Sequence, residues 1–537
     1  MARTRSPSIA PLAACLASAL ALGACRYRPA RLADAAPVTR VGDDAPIPVP
    51  RRRELYEPTY LVDIYLRRPL LDALDPRRFP DAGDVNAFDE VPRSSWFVPR
   101  DVGHAATAVG PADEGPPAAP LTIDERFARG RVSPLHVLDA RGLAFELRVD
   151  PPDRPEMRTA AAAIASRLVW AFGLRTPGVS ITRLQRADFV TAAGEPYPEG
   201  GAVDVDGFLT SGAPPSGGAW RVAATRWPPG IDLGSAPFGG VRGDDPNDRV
   251  AHRDRRTQRA LAVLGAWLQL SDLGPDKTLD VYVGKPGSGH VEHHLTGLED
   301  ALGADDIVHA ATPGSLAWDR GADPVTNLFS LGLSPRRLPT PTELRWASVG
   351  AFEPEPPMLA PTSVPFEPFF RVLPADGYWA VKRIAAISAD ALAAAVAAGE
   401  LSDPGAARYV LQTLEARRAA LVDHWMTQVT PLELEKLDAR GLVVRDEAVA
   451  RLRASVASTR YLVRFLDDGG ADVASPQLLV PPAERFSIAI PAEALRDAGE
   501  YLVVRVTAER DGKLLPRSFE VHLVGGAAAP RVVGVRR

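Results

Sequence analysis

The sequence predicts an α+β protein in two parts, a large mixed domain followed by a small all-β sandwich. Three patterns lead to this fold class: a strand pair followed directly by a helix at residues 135–172, a helix followed by a second strand pair at 252–295, and strand-like alternation beyond about residue 440. A chain of 537 residues with 46% apolar side chains is long enough to bury more than one core.

The composition excludes several classes of protein. The 52 prolines break long helices, which argues against coiled coils and helical repeats. A net charge of −5 offers no basic footprint, so no nucleic-acid partner is expected. Only five of the 62 basic residues are lysine, and the first of them is Lys277. Chemistry that needs a lysine in the first half of the chain is therefore excluded.

The N-terminus has the pattern of a secretory signal. Residues 1–24 carry two arginines and an apolar stretch, and Leu-Gly-Ala stands directly before Cys25. This ending resembles the lipobox of bacterial lipoproteins, which implies acylation of Cys25, contact with the membrane through that anchor, and location in the cell envelope. Arg26 favours the outer membrane. The alternative is a plain signal peptide with a chance cysteine.

The order of elements follows from local patterns. Residues 25–55 are rich in Ala, Pro and Arg without periodicity and predict a flexible tether. Residues 190–250 are rich in Gly and Pro and allow no assignment. The predicted helices span residues 60–71, 156–172, 252–270, 377–398 and 404–427. The predicted strands span residues 135–138, 144–149, 278–283, 290–295, 461–466, 486–490, 501–508 and 514–524. The two domains are expected at 56–435 and 436–537.

Several short motifs resemble a family of bacterial secreted or lipid-anchored proteins that is distantly similar to the HipA-like and CotH-like atypical kinases. The motifs are Asp-Glu-Val-Pro-Arg-Ser-Ser-Trp-Phe at 89–97, Val-Asp-Pro-Pro at 149–152 with Pro-Glu-Met at 155–157, Asp-Asp-Pro-Asn-Asp at 244–248, Ala-Trp-Leu at 266–268 with Thr-Leu-Asp at 278–280, and Ser-Asp-Pro at 402–404. The resemblance covers about residues 85–435 and implies a bilobal, protein-kinase-like fold.

The same resemblance places the chemistry of the family at four positions that this chain has largely changed. Relatives carry a lysine in the first strand pair, an Asp and then an Asn in the loop, and an Asp after the second strand pair. The residues found there are Arg148, Asp272, Lys277 and Gly297. A planar guanidinium does not replace a compact ammonium, a lysine repels a divalent cation, and glycine has no side chain to bind one. The degenerate set predicts a pseudokinase-like module that binds or scaffolds an envelope protein, without a catalytic residue or cofactor.

An atypical secreted kinase is the competing hypothesis. It would use ATP with Mg or Mn, with Asp276, Glu299 or Asp300 as metal ligands and Lys277 against phosphate. The candidate ligand-binding residues are thus Arg148, Glu156, Asp272, Asp276, Glu299 and Asp300. Two of them also have a plain structural interpretation. Glu156 either pairs with Arg148 or complements its own helix dipole, and Asp272 either acts as a remnant base or bonds loop amides.

Three further hypotheses concern other parts of the chain. His290, Glu292 and His294 share a strand face and could hold zinc, although such a cluster is usually an exposed face and no metal site is expected. The mixed charges of residues 242–256 predict a salt-bridged surface or a packing network. Finally, the C-terminal sandwich alone could bind the partner while the remainder acts as a spacer.

Overall fold

The computed structural model describes residues 27–54, 57–63, 67, 80–101, 115–124, 134–199, 201, 203–237, 239–270, 273–304, 344–360 and 366–537. Cys25, Asp272 and the predicted signal lie outside these ranges. Within them, no helix has both the length and the hydropathy to cross a bilayer. The chain forms a mixed α/β fold and divides into two compact units: a larger unit of residues 38–86 and 90–428, and a smaller unit of residues up to 37, 87–89 and 429–537.

The larger unit contains a six-stranded sheet in the order β4-β6-β3-β2-β1-β5, in which only the β1–β5 pair is parallel. Its strands are β1 (Leu121–Ile123), β2 (Leu135–Leu138), β3 (Ala144–Val149), β4 (Val179–Leu184), β5 (Phe189–Val190) and β6 (Trp220–Arg226). The predicted pairing of β2 with β3 is confirmed, with Leu135 opposite Leu147. A short helix, α3 (Val205–Thr210), adds Phe208 and Leu209 to the core of this sheet.

Within the described residues, two helices precede α3. The first, α1, is Glu57–Val62, and the remainder of the helix predicted at 60–71 lies almost wholly outside the described residues. The second, α2 (Met157–Phe172), matches its prediction and packs its alanine-rich face on β4 and β6. It ends at Gly173, whose φ of 120° suits glycine and whose amide donates to the carbonyl of Trp170.

The predicted helix at 252–270 is divided in the structure. A 3₁₀ turn at His252–Asp254 leads into α4 (Arg256–Arg259) and α5 (Leu261–Leu268), every residue of which is buried. A second 3₁₀ turn at Pro275–Lys277 then leads into the hairpin of β8 (Thr278–Val283) and β9 (His290–Leu295), whose ends agree with the prediction. The strand β7 (Ile231–Asp232) completes a sheet in the order β7-β8-β9.

Three helices close the larger unit where two were expected: α6 (Pro374–Ala386), α7 (Ala389–Ala397) and α8 (Pro404–Trp425). The break falls at Ser388, because its hydroxyl caps α7 by accepting a hydrogen bond from the amide of Ala391. The long helix α8 packs on α5, and the indole of Trp267 donates to the carbonyl of Leu414 at 2.9 Å.

Residues 27–54 do not form the free tether that their composition predicts. The part from residue 38 belongs to the larger unit, where Ile47 is 3% exposed and shares a cluster with Leu233, Tyr282 and Val291. Its amide donates to the carbonyl of Gly289 at 2.9 Å. An extended segment can be held by isolated backbone hydrogen bonds of this kind without any periodic sequence pattern. Composition alone therefore did not reveal that this segment is packed on the unit.

The smaller unit consists mainly of two antiparallel sheets. The strands of the three-stranded sheet, in the order β10-β11-β14, are β10 (Leu432–Asp438), β11 (Gly441–Asp446) and β14 (Arg485–Ile488). The other sheet, in the order β13-β12-β15-β17-β18 with β16 against β15, contains β12 (Thr459–Leu466), β13 (Asp472–Leu479), β15 (Tyr501–Arg510), β16 (Lys513–Leu514), β17 (Phe519–Val524) and β18 (Arg531–Arg536). Both sheets contribute to one hydrophobic cluster, and two short helices, α9 (Glu447–Ala450) and α10 (Ala492–Asp497), lie between strands.

The strand predictions in this unit were partly correct. The four predicted strands exist, but the last is interrupted between β16 and β17, where Pro516 stands. Four strands were not predicted: β10, β11, β13 and β18. Charged residues alternate weakly in β10, and Pro476 lies inside β13 as proline does on edge strands, so neither shows the clear alternation of β12 or β15.

Candidate functional site

A cavity of about 540 Å³ lies in the larger unit, beside β3, β6, α2 and the 3₁₀ turn before β8. Six residues singled out from the sequence line it: Arg148, Asp276, Lys277, Gly297, Glu299 and Asp300. The structure therefore brings three separate segments to one cavity: Arg148 in β3, the turn with Asp276 and Lys277, and residues 297–300 after the β8–β9 hairpin. Asp272 lies outside the described residues, and Glu156 is not part of the lining.

Arg148 points into the cavity because of the alternation along β3. Phe145 and Leu147 turn into the core of the sheet, which leaves Glu146 and Arg148 on the opposite face. The Arg148 guanidinium donates from Nε to Oε1 of Glu146 at 2.8 Å, and its Nη1 lies 3.0 Å from Oε1 of Glu299. Burial alone would lower the pKa of Arg148, but Glu146 and Glu299 together outweigh that effect and raise it. This cation is fully engaged by two carboxylates.

Lys277 ends the 3₁₀ turn that begins at Pro275, and its ammonium reaches across the cavity. Nζ donates to Oδ2 of Asp300 at 2.8 Å, while the other oxygen of Asp300 accepts from Nη2 of Arg158 at 3.1 Å. Burial favours a lower pKa for Lys277, but the carboxylates of Asp300 and Glu299 reverse this and raise it. Asp300 thus joins two cations from different elements, the turn before β8 and helix α2.

Gly297 and Lys277 depend on each other sterically. Gly297 has a φ of 67°, in the left-handed region that glycine favours. A Cβ added at this position would clash with Cδ of Lys277 and lie 3.2 Å from its Nζ. The stem of Lys277 therefore fills the space that any side chain at position 297 would need. The identities of these two residues are therefore structurally linked.

Glu299 is the least exposed of the acidic residues that line the cavity. It belongs to the 3₁₀ turn Leu298–Asp300 and is 7% exposed. Burial raises the pKa of Glu299 above its ordinary value, although Arg148 opposes the shift. Its partner in the cavity wall is Arg148, 3.0 Å away.

One of the two interpretations of Glu156 was that it pairs with Arg148. The structure shows no such pair. Glu156 stands at the N-cap position of α2 with a φ of 72°, and its carboxylate accepts from the amide of Ser402 at 2.9 Å. This places it at the positive end of the helix dipole, in line with the second interpretation. The carboxylates that face Arg148 are Glu146 and Glu299 instead.

Sequence reasoning missed two residues that bond the predicted site residues, Glu146 and Arg158. Glu146 could have been found, because it lies two residues before Arg148 on the same strand and therefore on the same face. Arg158 gave no signal, since its contact with Asp300 joins residues 142 positions apart.

A second cavity of about 760 Å³ lies next to the first. Arg52, Trp227 and Asp232 line both cavities. Trp227 follows β6 and is half-buried, with its ring edge-on to His136 at 5.1 Å between centroids. The two cavities together give the larger unit a continuous recess with one aromatic ring at the junction.

The mixed-charge segment at 242–256 forms a buried packing network. Arg242 and Asp280 are fully buried and their side chains approach to 2.7 Å, and the carboxylate of Asp280 also lies 2.6 Å from Nδ1 of His293. The ring of Trp96 stacks on His293 with centroids 3.9 Å apart. Asp244 accepts from the amide of Arg51 at 2.8 Å. Through Arg51, the network connects the segment that contains the cavity-lining residue Arg52 to the β8–β9 hairpin.

The zinc hypothesis gains no support from the geometry. Glu292 is engaged by Arg175 at 3.1 Å, and the ring nitrogens of His290 and His294 lie 3.8 and 3.7 Å from its oxygens. Across the described residues, no group of three His, Cys, Asp or Glu side chains is arranged to hold a metal ion.

Comparisons with known proteins add little to this picture. No protein-family model matches the sequence, and no curated protein matches it. The crystal structure of the proinflammatory kinase CtkA of Helicobacter pylori is a weak structural neighbour, with a TM-score of 0.32 and 10% sequence identity. The likeness covers 58% of this chain and 97% of that chain. A likeness of this strength carries no inference about fold or activity.

Proposed function

We propose that this chain is a lipid-anchored protein of the bacterial cell envelope, in the outer membrane, whose larger unit is a pseudokinase-like binding module and whose smaller unit is a β-sandwich. The ion pair between Lys277 and Asp300, packed against Gly297, is the observation that carries this proposal. At the positions where the family resemblance implies a metal ion, this chain supplies its own ammonium group.

The charges of the cavity support binding over phosphoryl transfer. Four cationic and five carboxylate side chains line it, and the shortest contacts pair them with one another. Phosphoryl transfer depends on cations and a metal that neutralise the phosphates. Here Arg148 and Lys277 are already paired with carboxylates, so neither cation is left uncompensated for a phosphate. A neutral or zwitterionic molecule with many hydrogen-bonding groups suits this lining, with Trp227 as a stacking surface.

Thermal unfolding with ATP and Mg²⁺ or Mn²⁺ tests the proposal. A ligand that binds only the folded state raises its stability, so ATP is expected to give no metal-dependent rise in Tm. A panel of neutral oligosaccharides and dipeptides is expected to contain stabilising members whose effect is lost in Trp227→Ala. Asp272→Ala tests any effect of ATP that is seen. If ATP with metal stabilised the wild type and Asp272→Ala abolished that stabilisation, the pseudokinase proposal would be wrong.

The competing proposal, an atypical kinase with rearranged ligands, draws on a specific observation. Asp276, Glu299 and Asp300 all line the cavity, where such an enzyme would need its metal ligands. Transfer of radioactive phosphate from labelled ATP to a protein substrate or to the chain itself would favour it. Phosphate transfer that survives Asp300→Asn would come from a contaminant.

The anchor and the partner need separate tests. Palmitate labelling in the native host is expected for the wild type and not for Cys25→Ala, and equal labelling of both would exclude acylation at Cys25. An envelope protein is the proposed partner of the binding module. If residues 440–537 alone retained that partner, the smaller unit would be the binding part and the larger unit a spacer.

A further inference from the structure

The large sheet of the smaller unit has an outer face that is only partly covered. Residues opposite each other on paired strands point to the same side of a sheet. Leu462 faces Thr507 on one neighbouring strand and Leu478 on the other, and Glu509 faces Leu514. The inner face, by contrast, carries the alternate residues that form the hydrophobic cluster shared with the three-stranded sheet.

One end of the outer face is covered by the beginning of the described chain. Leu32 packs on a buried cluster formed by Leu466, Tyr501, Val503 and Val533. The backbone amide of Leu32 donates to the hydroxyl of Tyr501 at 2.6 Å. The ring of Tyr27 lies against the guanidinium of Arg505, which sits 4.0 Å from the ring centroid, and its hydroxyl donates to Glu520 at 2.6 Å.

The other end of the outer face exposes aliphatic side chains. Leu478 is 59% exposed, Val480, two residues further along, is 66% exposed, and Leu514 is 55% exposed. Arg460 is exposed on the same face, opposite Glu509. Exposed aliphatic side chains on one face are suited to contact with the interface of a lipid bilayer.

We propose that this outer face, defined by Leu462, Leu478, Val480 and Leu514, lies on a phospholipid membrane. The inference rests on the proposed lipid anchor, because only Arg26 separates Cys25 from Tyr27, and Tyr27 is docked on this same face. An acyl group there brings the face to the bilayer at high effective concentration, so side chains that bind lipid weakly by themselves add a second contact.

Flotation with lipid vesicles tests the face without the anchor. The sample is the mature chain, residues 25–537, with Cys25→Ser so that no acyl group contributes. The vesicles contain phosphatidylethanolamine with one quarter phosphatidylglycerol. We expect binding at low salt that falls at least fivefold in the double variant Leu478→Asp with Leu514→Asp. Leu452→Asp is the matched control, since Leu452 is 91% exposed and follows α9 outside this sheet.

The outcomes distinguish a lipid surface from a second copy of the chain as the binding partner of this face. Loss of flotation in the double variant, with the control and the thermal stability unchanged, supports a lipid surface. Equal flotation of the double variant and the control overturns the proposal, as does absence of binding by the wild type. Concentration-dependent dimerisation that the double variant abolishes, without vesicle binding, identifies a second copy of the chain as the occupant. Palmitate labelling is scored separately, so a failure of the anchor is distinguishable from a failure of the face.

Discussion

The ammonium of Lys277 donates to the carboxylate of Asp300 at 2.8 Å, across a gap of 23 residues in the chain. Asp300 is 8% exposed and also accepts from Arg158. A lysine and a carboxylate can thus stabilise the wall of the cavity without any bound cation.

The first prediction concerns Gly297. Gly297→Ala is expected to lower the free energy of unfolding by about 2–3 kcal/mol, because the residue combines a φ of 67° with a clash against Lys277. Gly287→Ala is the matched control, since Gly287 has a φ of 81° but open space around it. It should cost only about 1 kcal/mol. Urea unfolding measures both, and equal losses would contradict the steric link to Lys277.

The second prediction concerns the ion pairs of the cavity. Asp300→Asn removes the charge that faces both Lys277 and Arg158, so about 2–4 kcal/mol of stability should be lost. The control, Glu400→Gln, breaks an exposed contact with Arg183 at 3.5 Å and should change stability by about 0.5 kcal/mol at most. Chemical unfolding of both variants checks this. A loss in Asp300→Asn no larger than in the control would show that the buried pairs do not stabilise the cavity.

The third prediction concerns a buried carboxylate of the smaller unit. Asp446 is fully buried, caps α9 by accepting from the amides of Ala448 and Val449, and accepts from the hydroxyl of Tyr461 at 2.5 Å and from Arg510 at 2.7 Å. Asp446→Ala leaves these donors without their acceptor and should cost about 3 kcal/mol or more. Asp438→Ala, which removes an exposed turn contact to the amide of Arg440, should cost far less. Thermal unfolding of both variants gives the comparison.

The fourth prediction concerns acid. Burial lowers the pKa of His522 from 6.5 to about 4, and Arg536 adds to the effect. Since the unfolded chain then binds the proton more readily, the contribution of this group to stability is intact above pH 6.5 and is lost as the pH falls through 4. Its size is at most about 3 kcal/mol. The difference in free energy of unfolding between the wild type and His522→Leu should shrink across this range, and parallel pH curves would contradict the shifted pKa.

The elements that sequence patterns predicted well are those whose signals are local. In the hairpin, β9 alternates between buried and partly buried residues, β8 is a short and almost wholly buried strand, and glycines lie in the turn between them, so the ends could be placed to the residue. Helix α2 has apolar spacing over its length and a glycine at its end. Where the local signal is weak, as in β13 with its proline and exposed face, the prediction failed.

The sequence by itself determined that the first half of this chain lacks lysine, that Arg148 lies in a strand with Lys277 and Gly297 on either side of a hairpin, and that strand and helix alternate in a recognisable order. Only the tertiary structure decided which charges meet: Glu146 and Glu299 at Arg148, Asp300 at Lys277, and Tyr27 on the face of the distant sheet. The physical reason is that periodicity reports the surroundings of a residue within one element. The partner of a charged side chain depends on how separate elements pack, and no local pattern encodes that.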